Sequence, residues 1–248
     1  PAFTERTKIL LEKIKSLTCQ EAREVWQCNQ KLAELNYHRF RRMTPAGLEN
    51  LSAMTPALMA YEGIQYQYLS PMTFEEKAWQ YAREHLRILS GFYGILRPFD
   101  GVFPYRLEMQ AKLSADGCKN LYEFWGGSLY DSLISEEKGT RPVILNLASK
   151  EYSQCIEPCL KGPVRFITCV FGERRDGKIR QKATLAKMAR GEMVRFLAEN
   201  QIENPEDIKD FRGLGFAYSS EHSAVSVGKL GQKLETYTFI KEEGILCT

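Results

Sequence analysis

The first ninety residues carry apolar side chains at the three- and four-residue spacing of an amphipathic helix. Thr18 is followed by Glu21, and Thr73 by Glu76, which is the arrangement of a capping box at a helix start. Thr55-Pro56 adds an N-cap residue followed by proline at the first helical position. We therefore predict that residues 1 to about 90 are largely helical.

The pattern changes after this region. Glycine and proline recur from Ser90 to Met109, which predicts loops and short strands. Apolar runs at Val143–Leu147, Val164–Phe171 and Thr236–Ile240 predict buried strands. A helix is predicted from about Thr184 to Asn200, with an apolar stripe of Leu185, Ala189, Met193 and Phe196.

Helices first and mixed elements later predict an α+β protein with a mixed sheet surrounded by helices. The 248 residues stay within the size of a single hydrophobic core, about 250–300 residues. No linker rich in proline, glycine or serine divides the sequence. We therefore expect one domain over residues 1–248.

Composition narrows the class of protein. Hydrophobic residues make up 44% and charged residues 26%, as in an ordinary globular chain. No apolar run approaches the roughly 18 residues of a membrane span, so no membrane partner is expected. The seven cysteines are scattered and no secretory leader is visible, which predicts a cytoplasmic protein. The pair Cys155 and Cys159 has no histidine nearby, so we predict no metal site.

Familiar catalytic signatures are absent from the sequence, including the nucleophile elbow, the paired-histidine zinc motif and Walker A. His222 lies among serines from Ser219 to Ser223, and we prefer a solvated loop to a catalytic site there. Asp100 and Glu108 allow two interpretations. They are either paired carboxylates or ion-pair partners of Arg97 and Arg106, and the ion pairs are preferred.

Positive charge is concentrated from Glu173 to Arg195, with eight basic against three acidic residues, a net of +5 in a chain of net +3. On the predicted helix, Lys187 and Arg190 share a face opposite the apolar stripe. Such a surface suits a phosphate backbone, with a solvated helix face as the alternative. The basic residues are Arg174, Arg175, Lys178, Arg180, Lys182, Lys187, Arg190 and Arg195.

Two other features point weakly to nucleic acid. Arg39, Arg41 and Arg42 alternate with aromatic residues, a combination that suits phosphates and stacked bases. Gly213-Leu214-Gly215 is similar to the turn of a helix-hairpin-helix module. The residues from Phe216 to Tyr218, however, favour a strand where that module needs a helix.

Five stretches together resemble the bacterial YaaA peroxide-stress family: Leu89–Pro98, Pro104–Met109, Leu121–Gly126, Asn146–Tyr152 and Ala186–Gly191. The resemblance implies a cytoplasmic protein that protects cells from hydrogen peroxide and is associated with low unincorporated iron and with DNA binding. It also implies a mixed α and β fold with a positively charged cleft. Family members usually begin with a strand reading roughly I-S-P-A-K, so we expect that the native N-terminal strand is missing before Pro1.

The basic residues in these stretches and the charge pattern lead to one site prediction. We expect a monomer that uses no cofactor and binds duplex DNA with little sequence preference, helping to limit iron-dependent oxidative damage. The predicted binding residues, lining one basic cleft, are Arg97, Arg106, Lys150, Lys187 and Arg190.

We further expect that no cysteine carries the peroxide response. Because glycine is unfavourable inside a helix, Gly191 predicts the close approach of another backbone, from the protein or from a ligand.

An enzyme is the alternative to a DNA-binding protein without chemistry of its own. It would act on a nucleotide, a nucleic acid or another anionic substrate in the same cleft. The polar candidates for such a reaction are Asp100, Glu108, Ser149, Glu151 and Tyr152. We prefer the binding protein.

Overall fold

A computed structural model of the chain describes residues 1–135, 141–175 and 177–241. The α-helices are α1 Thr4–Lys15, α2 Cys19–Trp26, α3 Gln30–Arg42, α4 Ala57–Ala60, α5 Ile64–Leu69, α6 Glu76–His85, α7 Leu121–Trp125, α8 Ser128–Ser135, α9 Lys150–Ser153 and α10 Ala183–Glu199. The strands are β1 Thr55–Pro56, β2 Ile88–Ser90, β3 Gly94–Leu96, β4 Gly101–Val102, β5 Val143–Asn146, β6 Arg165–Arg175, β7 Lys178–Arg180, β8 Phe216–Val227 and β9 Lys233–Lys241. The α+β prediction is confirmed.

Local sequence signals locate several of these elements closely. The Thr18 hydroxyl accepts a hydrogen bond from the Glu21 amide at 3.2 Å, and the Glu21 carboxylate accepts one from the Thr18 amide at 2.7 Å. This is the predicted capping box, and α2 begins at Cys19, directly after the N-cap residue Thr18. The helix predicted from Thr184 to Asn200 is α10, displaced by one residue at each end. Local hydrogen bonding and apolar periodicity thus suffice for these elements.

The largest sheet is mixed, as predicted, and β6 lies at its centre. Strand order is β5-β6-β9-β8, and β7 also pairs with β6. β6 runs parallel to β5 and β9 and antiparallel to β7. Pairing with β9 occupies one edge of β6 from Arg165 to Glu173, so β5 and β7 share the other edge. The remaining strands form two small antiparallel pairs, β1 with β4 and β2 with β3.

The core beside this sheet includes α10 and one face of β6. Side chains two apart on a strand point to the same face, which places the odd-numbered residues of β6 together. Three of these, and three small or apolar residues of α10, are buried in one cluster: Ile167, Cys169, Phe171, Ala189, Met193 and Leu197. The face of β6 that points toward α10 is therefore fixed by apolar burial.

The described residues divide into two compact units. The first contains Pro1–Ala60, Leu86–Leu133 and Ser149–Cys159. The second contains Tyr61–His85, Ile134–Ala148 and the residues from Leu160 onward. Residues 1–90 are thus not an independent body, because residues 1–60 group with later segments. The prediction of one domain over the whole chain stays a prediction.

Gly191 lies where α10 approaches the backbone of α5 in the second unit. A β-carbon at this position would lie 2.0 Å from the carbonyl oxygen of Gln65 and 2.9 Å from the amide nitrogen of Leu69. Real β-carbons do not come so close to a backbone. Of the two partners that the sequence leaves open, the structure shows a protein backbone. Gly191 therefore serves helix packing.

The first testable prediction concerns this approach. Gly191→Ala should lower the free energy of unfolding by about 1–3 kcal/mol, because the helices must separate to admit the methyl group. This loss should outweigh the gain of about 1 kcal/mol in helix propensity. Urea unfolding measures the change. Thr184→Ala, at an exposed position of the same helix, is the control and should stay within about 0.5 kcal/mol. An equally or more stable Gly191→Ala variant would show that the approach is not this tight.

Candidate functional site

Three of the five sequence stretches interlock in the first unit. The Ser90 hydroxyl accepts hydrogen bonds from the amides of Phe92 and Tyr93, at 3.2 and 2.9 Å, and lies 2.6 Å from the Tyr105 hydroxyl. The Trp125 indole donates to the carbonyl of Gly91 at 3.1 Å. A β-carbon on Gly91 would lie only 2.4 Å from the carbonyl oxygen of Leu107. These bonds hold the loops in one conformation.

The aromatic residues of these stretches pack against one another. The rings of Phe92 and Tyr105 lie 5.3 Å apart, as do those of Tyr93 and Tyr105, and Phe92 lies 4.8 Å from Tyr93. Trp125 is buried beside them, and Tyr122 lies on the same helix, α7. The loops are thus carried on a rigid aromatic core, which is where functional side chains are held most precisely.

The fourth stretch, Asn146–Tyr152, contributes Ser149–Tyr152 to the first unit, and Glu151 contacts the neighbouring loops. The carboxylate of Glu151 accepts a hydrogen bond from the backbone amide of Gln110 at 3.3 Å, and the backbone carbonyl of Glu151 accepts one from the Tyr122 hydroxyl at 3.0 Å. Two neighbours in sequence, Ser149 and Lys150, form the N-cap and the first residue of α9. Four of the five stretches are therefore connected by hydrogen bonds in one region of the first unit.

Arg106 and Glu108 form an ion pair in this region. A terminal nitrogen of Arg106 lies 2.6 Å from the Glu108 carboxylate, and its Nε donates to the carbonyl of Trp26 at 3.4 Å. Burial raises the pKa of Glu108 above its usual value, with the charge of Glu151 acting in the same direction and that of Arg106 opposing it. The preferred interpretation of Glu108 as an ion-pair partner is confirmed. We call Arg106, Glu108, Glu151 and Tyr122 the Arg106 cluster.

The other predicted residues of the first unit lie at the surface. Arg97 and Lys150 are both exposed. Asp100 accepts a hydrogen bond from the backbone amide of Arg97 at 2.9 Å, so this carboxylate stabilises the turn. Tyr152, a polar candidate for a reaction, is partly buried on α9. The structure thus brings Arg106, Glu108 and Glu151 together and places Asp100 in a turn.

The predicted residues of the second unit lie on α10 in different environments. Lys187 is exposed, as predicted. Arg190 is partly buried, and its Nε is inaccessible to solvent and without a hydrogen-bond partner. Its side chain lies near the buried Cys169 of β6, and burial lowers the pKa of Arg190 below its usual value. The prediction that both residues lie opposite the apolar stripe is therefore wrong for Arg190, because β6 and α5 cover more of the helix than the stripe alone implies.

The basic residues that precede α10 belong to a hairpin. β7 pairs with the end of β6, with Arg175 opposite Lys178 and Glu173 opposite Arg180. Lys182, directly before α10, forms an ion pair with Glu173 at 2.5 Å. The sequence shows the number of these charges, but not that they lie on a hairpin. The sequence signal for the hairpin is the Asp176-Gly177 turn pair, followed by basic residues at every second position.

Two weaker sequence features have structural explanations. Arg39, Arg41 and Arg42 occupy the last turn of α3, where positive charge stabilises the helix dipole, and Arg41 donates to the hydroxyl of Tyr37 at 2.7 Å. Gly213–Gly215 is a 3₁₀ turn that leads directly into β8. The turn therefore does not form a helix-hairpin-helix module, as the sequence from Phe216 onward indicated.

The serine and histidine cluster lies in an irregularity of β8. Its pairing with β9 shifts register between Ser219 and Ala224. The Ser219 hydroxyl lies 2.9 Å from Nδ1 of His222, and the nearest oxygen of Glu221 lies 3.9 Å from the same nitrogen. A catalytic triad needs the nucleophile and the carboxylate on opposite ring nitrogens. The cluster is therefore a polar part of the strand.

The described residues contain no group of three or more histidine, cysteine or acidic side chains arranged to hold a metal ion. In the same residues, no helix is both long and apolar enough to cross a bilayer. Of the cysteines in the described ranges, Cys155 and Cys169 are buried. Burial raises the pKa of Cys155 to about 12 and that of Cys169 above its usual value. Neither favours the reactive thiolate.

Comparisons with known proteins place these features in a family. Residues 1–222 match the family model described as peroxide stress protein YaaA. The chain is 49% identical over 224 residues to a UPF0246 protein of Pediococcus pentosaceus, covering 90% of this chain and 86% of that protein. A UPF0246 protein of Agathobacter rectalis is 49% identical over 226 residues, which cover 91% and 87%. One of Lachnoclostridium phytofermentans is 50% identical over 223 residues, which cover 90% and 84%.

The second testable prediction concerns the thiols. Mild peroxide treatment of the native protein should give no single dominant oxidised cysteine, because no sequence motif around the cysteines favours the thiolate and burial disfavours it at Cys155 and Cys169. Mass spectrometry after alkylation measures oxidation at each position. Urea-unfolded protein is the control, and there Cys155 and Cys169 should react like the other cysteines. One cysteine oxidised selectively in the native protein would indicate a thiol sensor.

Proposed function

Because the chain belongs to the peroxide stress protein YaaA family, we propose that it is a cytoplasmic protein that binds duplex DNA with little sequence preference. Binding shields the DNA and so helps to limit iron-dependent oxidative damage. The contacts are made to phosphates by basic side chains, among them Lys187 and Arg190.

Arg190 is the observation that carries this proposal. It forms no hydrogen bond or ion pair with any residue in the described parts of the chain, although its Nε is fully buried. An arginine removed from water without a partner destabilises the folded protein. Unlike Nε, the terminal nitrogens of this guanidinium are accessible, so a phosphate oxygen that bonds them gives the charge a partner, and charge-assisted bonds of this type are among the strongest in proteins.

Lys187 provides a second charge on the same helix. It lies three residues before Arg190, a spacing that brings side chains onto neighbouring positions of a helix surface. Lys187 is exposed and has no ion pair among residues 1–135, 141–175 and 177–241. Two basic groups at this spacing suit an extended polyanion. Phosphate contacts carry no base information, which is why little sequence preference is expected.

The predicted residues of the first unit contribute less positive charge than their number suggests. Arg97 and Lys150 are exposed, but the charge of Arg106 is balanced by Glu108. We retain Arg97, Arg106 and Lys150 as proposed contacts, with Arg106 the weakest of the three. The single basic cleft and the monomeric state stay predictions.

The third testable prediction is a change in the salt dependence of binding. The double variant Lys187→Ala, Arg190→Met should flatten the slope of log affinity against log salt by roughly 2, because each lost phosphate contact removes about 0.9. Methionine keeps most of the aliphatic stem of Arg190, which limits the loss of packing. Binding of a fluorescent duplex at several salt concentrations measures the slope, and thermal melts confirm folding.

Arg195→Ala is the matched control on the same helix. Arg195 already pairs with Glu199 at 2.8 Å, so its loss should leave the slope unchanged. Two duplexes of unrelated sequence should lose affinity equally in the double variant. An unchanged slope in a folded double variant would remove α10 from the DNA site. Wild-type protein that binds no duplex would refute the proposed function itself.

The Arg106 cluster supports a second candidate function, an enzyme acting on a nucleotide, a nucleic acid or another anion. Glu108, with its raised pKa, stays protonated to a higher pH than an ordinary glutamate, as a general acid requires. Arg106 beside it is suited to orient an anionic substrate. Glu151 and the hydroxyl of Tyr122 complete a set of groups able to move a proton.

The fourth testable prediction concerns this enzyme. Plasmid DNA and the common nucleoside triphosphates are incubated with the protein, and products are resolved by gel electrophoresis and ion-exchange chromatography. If Glu108 is the general acid, the rate should fall as pH rises through its pKa, since the protonated form is then lost. Glu108→Gln should abolish the reaction, and Glu123→Gln, at an exposed position of α7, should not. Absence of any product with wild-type protein would leave only the binding function.

A further inference from the structure

The end of β6 and the whole of β7 form a two-stranded ribbon. The ribbon pairs Glu173 with Arg180, Arg174 with Ile179 and Arg175 with Lys178. Gly177, in the turn that joins the strands, has a φ of +69°, which glycine adopts without strain. Asp176 lies outside the described residues. We call Arg175, Lys178 and Arg180 the basic ribbon residues.

The register of this pairing places the three basic ribbon residues on one face. Residues directly opposite each other in an antiparallel pair point to the same side, as do residues two apart on one strand. Arg175 and Lys178 are opposite each other, and Arg180 follows Lys178 by two. Arg175 lies an even number of residues after Cys169 and Phe171, so its side chain is on the same face of β6. In the earlier part of the strand, α10 covers this face.

The charge of this face is predominantly positive. Its acidic residue, Glu173, is paired with Lys182. The three basic ribbon residues are all exposed. Lys178 and Arg180 form no ion pair with any residue that the structure describes. Lys178 and Arg180 are about 7 Å apart along the strand. This distance is about twice the axial rise of 3.4 Å between successive phosphates of one DNA strand.

The composition of the ribbon favours a polyanion in water over a lipid surface. Elements that bind membranes insert apolar side chains such as Trp, Phe or Leu beneath the headgroups. The described ribbon residues, 173–175 and 177–180, include one large apolar side chain, Ile179. A β-carbon on Gly172 would lie 2.4 Å from Ile179, so this side chain packs on the ribbon's own backbone. The ribbon has no apolar face to insert.

We propose that the basic ribbon enters the major groove of B-form DNA and binds phosphates along the groove. The major groove, about 12 Å wide, admits a two-stranded ribbon. The deep and narrow major groove of A-form duplex RNA does not admit side chains in this way. The ribbon is thus a contact additional to the sequence-predicted residues, and it selects DNA over RNA. This inference rests on the proposed function of duplex DNA binding.

The fifth testable prediction compares two duplexes of the same sequence, one DNA and one RNA. The triple variant Arg175→Gln, Lys178→Gln, Arg180→Gln should flatten the salt slope on duplex DNA by roughly 2.7, because three contacts are lost. Wild-type protein should bind the DNA duplex more tightly than the RNA duplex, and the triple variant should lose this preference. Fluorescence anisotropy at several salt concentrations measures both effects.

Two further variants accompany the triple variant. Lys77→Gln, Lys119→Gln, Lys229→Gln removes the same charge at exposed positions elsewhere and should retain the preference for DNA. The single variant Lys178→Gln, at the exposed tip, tests the same contact with a flattening of about 0.9 if the triple variant fails to fold.

The outcomes separate this inference from the proposed function. Wild-type binding with an unchanged slope in the folded ribbon variants would overturn the ribbon contact and leave the DNA-binding function standing. Equal losses on DNA and RNA duplexes would overturn entry into the major groove. Ribbon-dependent binding to vesicles of phosphatidylcholine and phosphatidylserine, without binding to duplex DNA, would overturn both.

Discussion

Packing of α10 against β6 is the constraint on which the charged surface of the second unit depends. Apolar residues of the helix bury one face of the strand, and Gly191 lets the backbone of α5 approach from another side. The helix cannot rotate without losing both contacts. Arg190, the residue before Gly191, is therefore held partly buried beside Cys169 by apolar packing, with no carboxylate required to position it.

Two other partly buried arginines are paired with carboxylates, which makes the environment of Arg190 informative. Arg165 on β6 contacts Glu206 and Glu235 and the hydroxyl of Tyr237, and Arg106 pairs with Glu108. Such pairs avoid the cost of an isolated buried charge. Natural proteins often keep a destabilising arrangement where function requires it. This is the physical argument for an anionic ligand at α10, and it does not apply to Arg106.

Much of the fold is predictable from local signals, and the site is less so. The capping box at Thr18, the position of α10 and the strands β5, β6 and β9 follow from hydrogen-bonding residues and from periodicity, although β5 is less buried than its apolar run predicts. The burial of Arg190 does not, because a single apolar stripe cannot show that a helix is covered from two sides. The ribbon was missed for a similar reason. Its charges are visible in the sequence, but their common face depends on pairing between β6 and β7.

The central strand also explains why the charged ribbon and the helix belong to one surface. The same face of β6 that is buried at Phe171 is exposed four residues later at Arg175. Apolar burial anchors the first part of the strand, so the ribbon extends from a packed sheet. An exposed and basic surface is suited to holding a polyanion, whereas chemistry on an anion needs acid and base groups beside it, and those lie in the Arg106 cluster of the first unit.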